Sequence, residues 1–240
     1  MTSFSKKFLE VKLIDFAHKK NKIFNAASMK ISEREIIGIL GPNGSGKTTL
    51  FDLICNISKP NSGLIYNTFE RQSYLSQTIT TPPLLKMHEI FTMASSLTCE
   101  DRYPETQTLN KLKKLAPEIV GRYNELLKKK SAICSYGEKR WFFALLALTN
   151  GSDLVILDEP TAGVDPEFRH YIWKCIKGFS MDGGAVLVSS HNTEEIIQNC
   201  TCFYMISNKK LKKYMSKDSF LSAYHTKTLD EAFIAAASAH

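Results

Sequence analysis

The stretch Gly41-Pro42-Asn43-Gly44-Ser45-Gly46-Lys47-Thr48-Thr49 constrains this chain more than any other. It follows Glu35-Ile36-Ile37-Gly38-Ile39-Leu40, which reads as a short buried strand. It precedes Leu50-Phe51-Asp52-Leu53-Ile54, which reads as the start of a helix with an apolar face. Strand, loop and helix in this order frame the phosphate-binding pattern G-x-x-x-x-G-K-[ST]. Gly41, Gly44 and Gly46 let backbone N–H groups turn inward and approach phosphate oxygens closely. Lys47 supplies a point charge for the β- and γ-phosphates, and the Thr48 hydroxyl is a natural Mg²⁺ ligand. The positive end of the helix dipole lies beneath the phosphates. The pattern in this setting points to a nucleoside triphosphate.

Composition narrows the setting without choosing a partner. A chain of 240 residues is long enough for one large domain or two small ones. Its net charge of +7 favours contact with something anionic, be it nucleotide, nucleic acid or a membrane surface. The six cysteines are scattered without C-x-x-C pairing, as expected of a reduced cytosolic protein. Cys200-Thr201-Cys202 lacks a second ligand pair and reads as strand packing rather than a metal site. Lys6-Lys7 is followed by no apolar core of a signal peptide. The longest apolar run, Trp141 to Leu148, falls well short of the about 20 residues of a membrane span. The chain is not expected to cross a membrane by itself.

Taken in order, Phe8 to Ile31 holds two apolar stretches separated by the basic turn His18-Lys19-Lys20-Asn21-Lys22, a small antiparallel sheet. After the loop helix, Lys59 to Gly63 is a strong turn and Leu64-Ile65-Tyr66 a strand. Arg71 to Gln77 is a second strand ending on glutamine. From Thr81-Pro82-Pro83 onward the pattern turns helical: Leu84 to Leu97, Leu109 to Leu115 and Ile119 to Leu127, punctuated by Pro104 and Pro117. Lys128-Lys129-Lys130 reads as an exposed helix end. A helix beginning near Tyr136-Gly137-Glu138 is apolar nearly all round and must be buried. Asp153 to Glu159 is a central parallel strand with acids at its C-terminal end, where open α/β sheets place ligands. Asp165 caps the next helix with Pro166 in its first position. The strands Ala185 to Ser189 and Cys202 to Ile206 follow, then a basic turn from Asn208 to Lys213.

Apolar residues ending in Asp158-Glu159 complete the chemistry that the loop begins. One carboxylate can hold Mg²⁺ and the other can polarise a water for in-line attack on the γ-phosphate. With these residues in view, the chain resembles the nucleotide-binding subunit of ATP-binding-cassette (ABC) transporters over nearly its whole length. The family's elements occur in order: the phosphate loop at Gly41–Thr49, the Q-loop at Gln77, the signature around Ser135–Glu138, Walker B at Leu154–Glu159, the D-loop at Ala162–Asp165 and the switch histidine at His191. The resemblance implies an α/β fold: a P-loop NTPase core with a mostly parallel sheet, a small N-terminal antiparallel β subdomain and an inserted α-helical subdomain. It implies a single domain over residues 1–240, with the insertion at about 84–145 and a C-terminal extension over 207–240.

The same resemblance assigns roles. Lys47, Thr48 and Asp158 would bind phosphate and Mg²⁺, with Gln77 sensing the metal and relaying nucleotide state to a membrane partner. Glu159 would be the catalytic base, and His191 would contact the γ-phosphate. Ser135 and Gly137 would reach the γ-phosphate held by an opposing subunit. Tyr136 and Glu138 depart from the family's L-S-G-G-Q, which puts dimer affinity and turnover in question. Alignment gives the adenine contact to His18, with Phe16 as the alternative. Thr161 to Pro166, Ile172-Trp173 and the late Thr228 to Phe233 are similar to ATPases of the ABC-2 exporter type. The implied protein is a cytoplasmic ATPase, peripheral on the membrane's cytoplasmic face. It would pair with a second ABC subunit, as homodimer or heterodimer, and drive integral membrane subunits. Two other functions compete: an ABC-type ATPase acting on nucleic acid or the ribosome, and a hydrolysis-impaired regulatory cassette. No coiled-coil insertion, second cassette or zinc motif supports nucleic acid as partner. The intact Lys47, Asp158, Glu159 and His191 argue against impairment. A GTPase would need an N-K-x-D element for guanine, which does not follow the loop.

Overall fold

Alternating apolar side chains make long two-faced strands of the N-terminal segment. The computed structural model describes residues 6–98 and 105–238, so Cys99 and Pro104 lie outside the described residues. β1 (Phe8–His18) and β2 (Asn21–Ser32) form a hairpin closed by Lys19-Lys20, with His18 opposite Asn21. β3 (Ile36–Leu40) runs into the glycine loop and then α1 (Lys47–Ile54). β4 (Ser62–Asn67) returns to β1, giving the antiparallel order β2-β1-β4.

β5 (Gln72–Leu75) stops short of Gln77, where the sequence placed the strand end. The carbonyls of Ser76 and Gln77 do not extend the ladder; they accept from Arg140 Nη1 at 3.0 and 2.7 Å. The helical insertion consists of α2 (Met87–Thr98), α3 (Glu105–Leu115), α4 (Val120–Lys128) and α5 (Tyr136–Thr149). α2 begins at Met87 rather than Leu84, because Pro83-Leu84 forms a turn and Lys86 bridges to Lys130. Lys129 is not a free helix end: its ammonium pairs with Glu138 at 2.7 Å.

The second half alternates strand and helix: β6 (Leu154–Asp158), α6 (Pro166–Met181), β7 (Ala185–Ser189), α7 (Thr193–Asn199) and β8 (Cys202–Ser207). Asp165 caps α6 by accepting from Phe168 N at 3.0 Å, with Pro166 at the first helical position. The stretch read as a basic turn is a turn only at Asn208-Lys209, both left-handed with φ of +48° and +61°. From Lys210 the chain is β9 (Lys210–Tyr214), antiparallel to β8. Its lysines suit an edge strand, where charge discourages pairing with another chain. α8 (Lys217–Tyr224) and α9 (Leu229–Ser238) complete the fold.

The large sheet has the order β5-β6-β7-β3-β8-β9 and is parallel except for β9. Its four inner strands, β6, β7, β3 and β8, are buried on both faces, which is why they read as apolar runs. Val155, Leu157, Val186 and Val188 pack against the helical side. Leu154, Ile156, Leu187 and Ile39 pack against α1 and the antiparallel sheet. This sandwich points the C-terminal ends of β3, β6 and β7 at one edge, which carries the glycine loop and both acids.

Gly63 has φ +87°, and a Cβ there would lie 2.5 Å from the Leu13 carbonyl and 2.6 Å from Ile14 Cα. Gly63→Ala should therefore cost about 2 kcal/mol or more, from left-handed strain and backbone collision together. A urea midpoint lowered at unchanged m-value checks this, and an unchanged midpoint contradicts it.

Candidate nucleotide-binding site

The loop leaving β3 reaches α1 through Gly46 at φ +106°. No side chain caps α1 and its first turn carries no acid, so the helix's N-terminal N–H groups lack a side-chain partner. Ser45 Oγ is buried with no hydrogen-bond partner among the described residues. Beyond Gly44 the space is open, and a cavity of about 400 Å³ lies over the loop, lined by Asn43, Gly44, Gly46, Lys47, Thr48 and Thr49. Uncapped amides beside a polar cavity are what an anion would complete. Lys47 is buried against the loop, and its Nζ donates to the carbonyls of Gly41 at 2.8 Å and Pro42 at 3.4 Å. Burial pushes its pKa below the ordinary lysine value, against the pull of Glu159 and Asp158.

Across the cavity stand Asp158 and Glu159, and Gln77 lines it too. Asp158 is 1% exposed. Its Oδ2 accepts from Thr48 Oγ1 at 2.6 Å and its Oδ1 from Ser189 Oγ at 2.5 Å. Ser189 Oγ also accepts from Glu159 N at 2.9 Å, which ties the tip of β7 to both acids. Glu159 is held left-handed, with φ +54°. A non-glycine residue so placed costs of order 1–3 kcal/mol, and such strain gathers at functional positions. Its Oε2 lies 2.5 Å from His191 Nδ1.

The loop residues, Gln77, both acids and His191 thus converge on one edge. The signature residues do not. Ser135 caps α5, with its Oγ accepting from Glu138 N at 3.1 Å while Glu138 Oε2 accepts from Ser135 N at 2.8 Å. The Glu138 carboxyl lies below its ordinary pKa: burial pushes it up, but bonds to Lys129 and to Ser135 N outweigh that. Gly137 and Tyr136 pack on Gly163; a Cβ on Gly137 would sit 3.1 Å from the Gly163 carbonyl. His18 is exposed at the hairpin end, Phe16 pairs with Phe24, and the residue lining the cavity from this hairpin is Ile23.

Three residues of the site escaped the sequence reading. Ser189 gave no signal, being one more small residue at a strand end. Ile23 looked like part of a strand core. Arg140 did leave a trace, since a charge inside a helix that must be buried requires partners. It is 0% exposed and donates to four carbonyls: Ser76, Gln77, Glu159 at 2.9 Å, and Asp158.

Comparison with known proteins gives the family and the fold. The family model described as ABC transporter matches residues 24–162. Protein McbF of Escherichia coli is 31% identical over 92% of this chain and 91% of its own length. The Nod factor export ATP-binding protein I of Burkholderia lata is 30% identical over 74% of this chain, which spans only 60% of that relative. Among solved structures, an ATP-binding subunit of an ABC transporter superposes with TM-score 0.81 over 95% of this chain and 98% of that one, at 22% identity. A nucleotide-free ATP-binding cassette superposes with TM-score 0.76 over 95% of this chain and 98% of that one, at 18% identity. The chain belongs to the ABC transporter family, as one of its ATP-hydrolysing cassettes.

Proposed function

We propose that this cassette hydrolyses Mg²⁺–ATP as a peripheral subunit on the cytoplasmic face of a membrane, pairing with a second cassette and driving separate membrane subunits of an exporter. The convergence of Lys47, Thr48, Asp158, Glu159 and His191 at one sheet edge carries this reading. Among the described residues no helix is long and apolar enough to cross a membrane, in keeping with a separate membrane subunit. Export as the direction is supported by the printed name of the Nod factor relative.

The donor set fits the metal. Thr48 Oγ1 and Asp158 Oδ2 are neighbouring hard oxygens, and Mg²⁺ takes few protein ligands beside phosphates and water. When bound, the ion would neutralise charge on the phosphate oxygens. The chain's own groups do the rest. Lys47 exchanges its bonds with Gly41 and Pro42 for phosphate oxygens, joined by the uncapped amides of α1. Glu159 accepts the proton of the attacking water, and His191 holds that carboxylate in place. Gln77 reports occupancy of the cavity to the helical insertion through its carbonyl, which Arg140 grips.

Ser135 and Gly137 face away from their own cavity, as expected of residues that complete a second chain's site. Ser135 Oγ spends a lone pair on the cap and keeps its proton for a partner phosphate. Glu138 would bring an unwanted charge there, but Lys129 neutralises it. That pairing explains how the divergent signature can still meet a triphosphate.

Glu159→Gln should bind ATP as the parent does, lose hydrolysis by about a hundredfold or more, and elute as an ATP-dependent dimer in size-exclusion chromatography. Turnover at the parental rate would remove Glu159 from the role of base. Lys129→Ala should weaken ATP-driven dimerisation about two- to fivefold. The double variant with Glu138→Gln should recover it, and a failure to recover would show that charge at the signature is not the issue.

A further inference from the structure

Glu195 is buried on the inner face of α7, and three side-chain donors from three separate segments converge on its carboxylate. Trp173 Nε1 on α6 donates to Oε1 at 2.7 Å. Thr161 Oγ1, two residues after Glu159, donates to Oε2 at 2.9 Å, and Ser190 Oγ donates to the same atom at 3.0 Å. Ser190 Oγ also accepts from Asn192 N at 3.0 Å, so the backbone is tied on both sides of His191. Thr161 belongs to the turn that leaves Glu159, closed by Ala162 N donating to the Glu159 carbonyl at 3.1 Å.

We propose that Glu195 is a positioning residue for hydrolysis: its carboxylate clamps the turn after Glu159 to the loop around His191 and so sets the contact between those two side chains. The inference rests on the reading that Glu159 and His191 act together. Helix capping does not account for the geometry. Glu194 occupies the same first turn, is exposed, and meets the dipole preference without any buried bond. Glu195 instead turns inward to accept only, and a carboxylate is the side chain that offers acceptors alone. Trp173, whose indole N–H has no other use, is explained by the same clamp.

An amide at this position must aim its NH₂ at a group that now donates. Glu195→Gln is nearly isosteric, and slackening the Glu159–His191 geometry should lower kcat roughly tenfold to a hundredfold. KM for ATP should stay within about twofold, because no cavity-lining group is touched. The deciding measurement is a double-mutant cycle: in a His191→Ala background, Glu195→Gln should change kcat by less than about twofold. A merely structural role would lower melting temperature and leave the two effects on kcat additive. Additivity, or parental kcat in Glu195→Gln, overturns the clamp. Should Glu195→Gln fail to fold, Thr161→Val removes one donor without changing size, and should show the same dependence on His191. Hydrolysis that survives Glu159→Gln undiminished would refute the underlying site assignment instead, and is read independently of the clamp.

Discussion

The Asp158 carboxylate is a buried charge at the tip of a central strand, and the rest of the site is built on keeping it satisfied. A carboxylate at this depth is tolerated only with strong hydrogen-bond partners. Thr48 reaches it from α1, the helix that follows β3, and Ser189 from the end of β7. Because β7 lies between β6 and β3, these bonds fasten two strand tips to the helix that follows β3. The edge so formed is where parallel sheets leave room for ligands. A cation that drew Thr48 away would still leave Asp158 its bond to Ser189, so the proposed metal could come and go without stranding the charge.

Around that tip the buried charges act as ties between distant segments. The Arg140 guanidinium joins the start of α5 to the chain after β5 and to the carbonyls of both acids. Its burial lowers its pKa, with the nearby carboxylates opposing, yet the group remains a cation and must be held by carbonyl dipoles. The start of α5, Gln77 and the tip of β6 are therefore one mechanical unit. Glu195 makes a matching tie on the other side, between the turn after Glu159 and the loop around His191. The strained backbone at Glu159 sits between these two anchors. A left-handed glutamate persists only when its surroundings over-determine it, and here they do.

The divergent signature shows how a local substitution is absorbed by geometry. Glu138 in place of glutamine keeps the reciprocal cap on Ser135, since either side chain can accept the Ser135 N–H. The added charge is met by Lys129, which the chain delivers from the end of α4. Tyr136, in place of glycine, lays its ring against Gly163 and extends the packing between signature and D-loop.

The sequence by itself determined the central strands, the phosphate loop and the capped start of α6, because each depends on residues that are neighbours in the chain. Ile36 to Leu40, Leu154 to Leu157 and Ala185 to Val188 are short runs apolar on both faces, as covered parallel strands require. Glycines, lysine and threonine in one loop, and paired acids at a strand end, announce their chemistry through type and spacing. Tertiary structure alone decided that Lys210 to Tyr214 is an edge strand, that β5 ends before Gln77, and that Lys129 is paired. It alone separated Glu195 from Glu194, and chose Ile23 rather than His18 to line the cavity. The reason is physical: apolar periodicity and turn chemistry are local, whereas a charge or hydroxyl takes its meaning from a partner, and Arg140, Ser189 and Glu195 find theirs across folded distance.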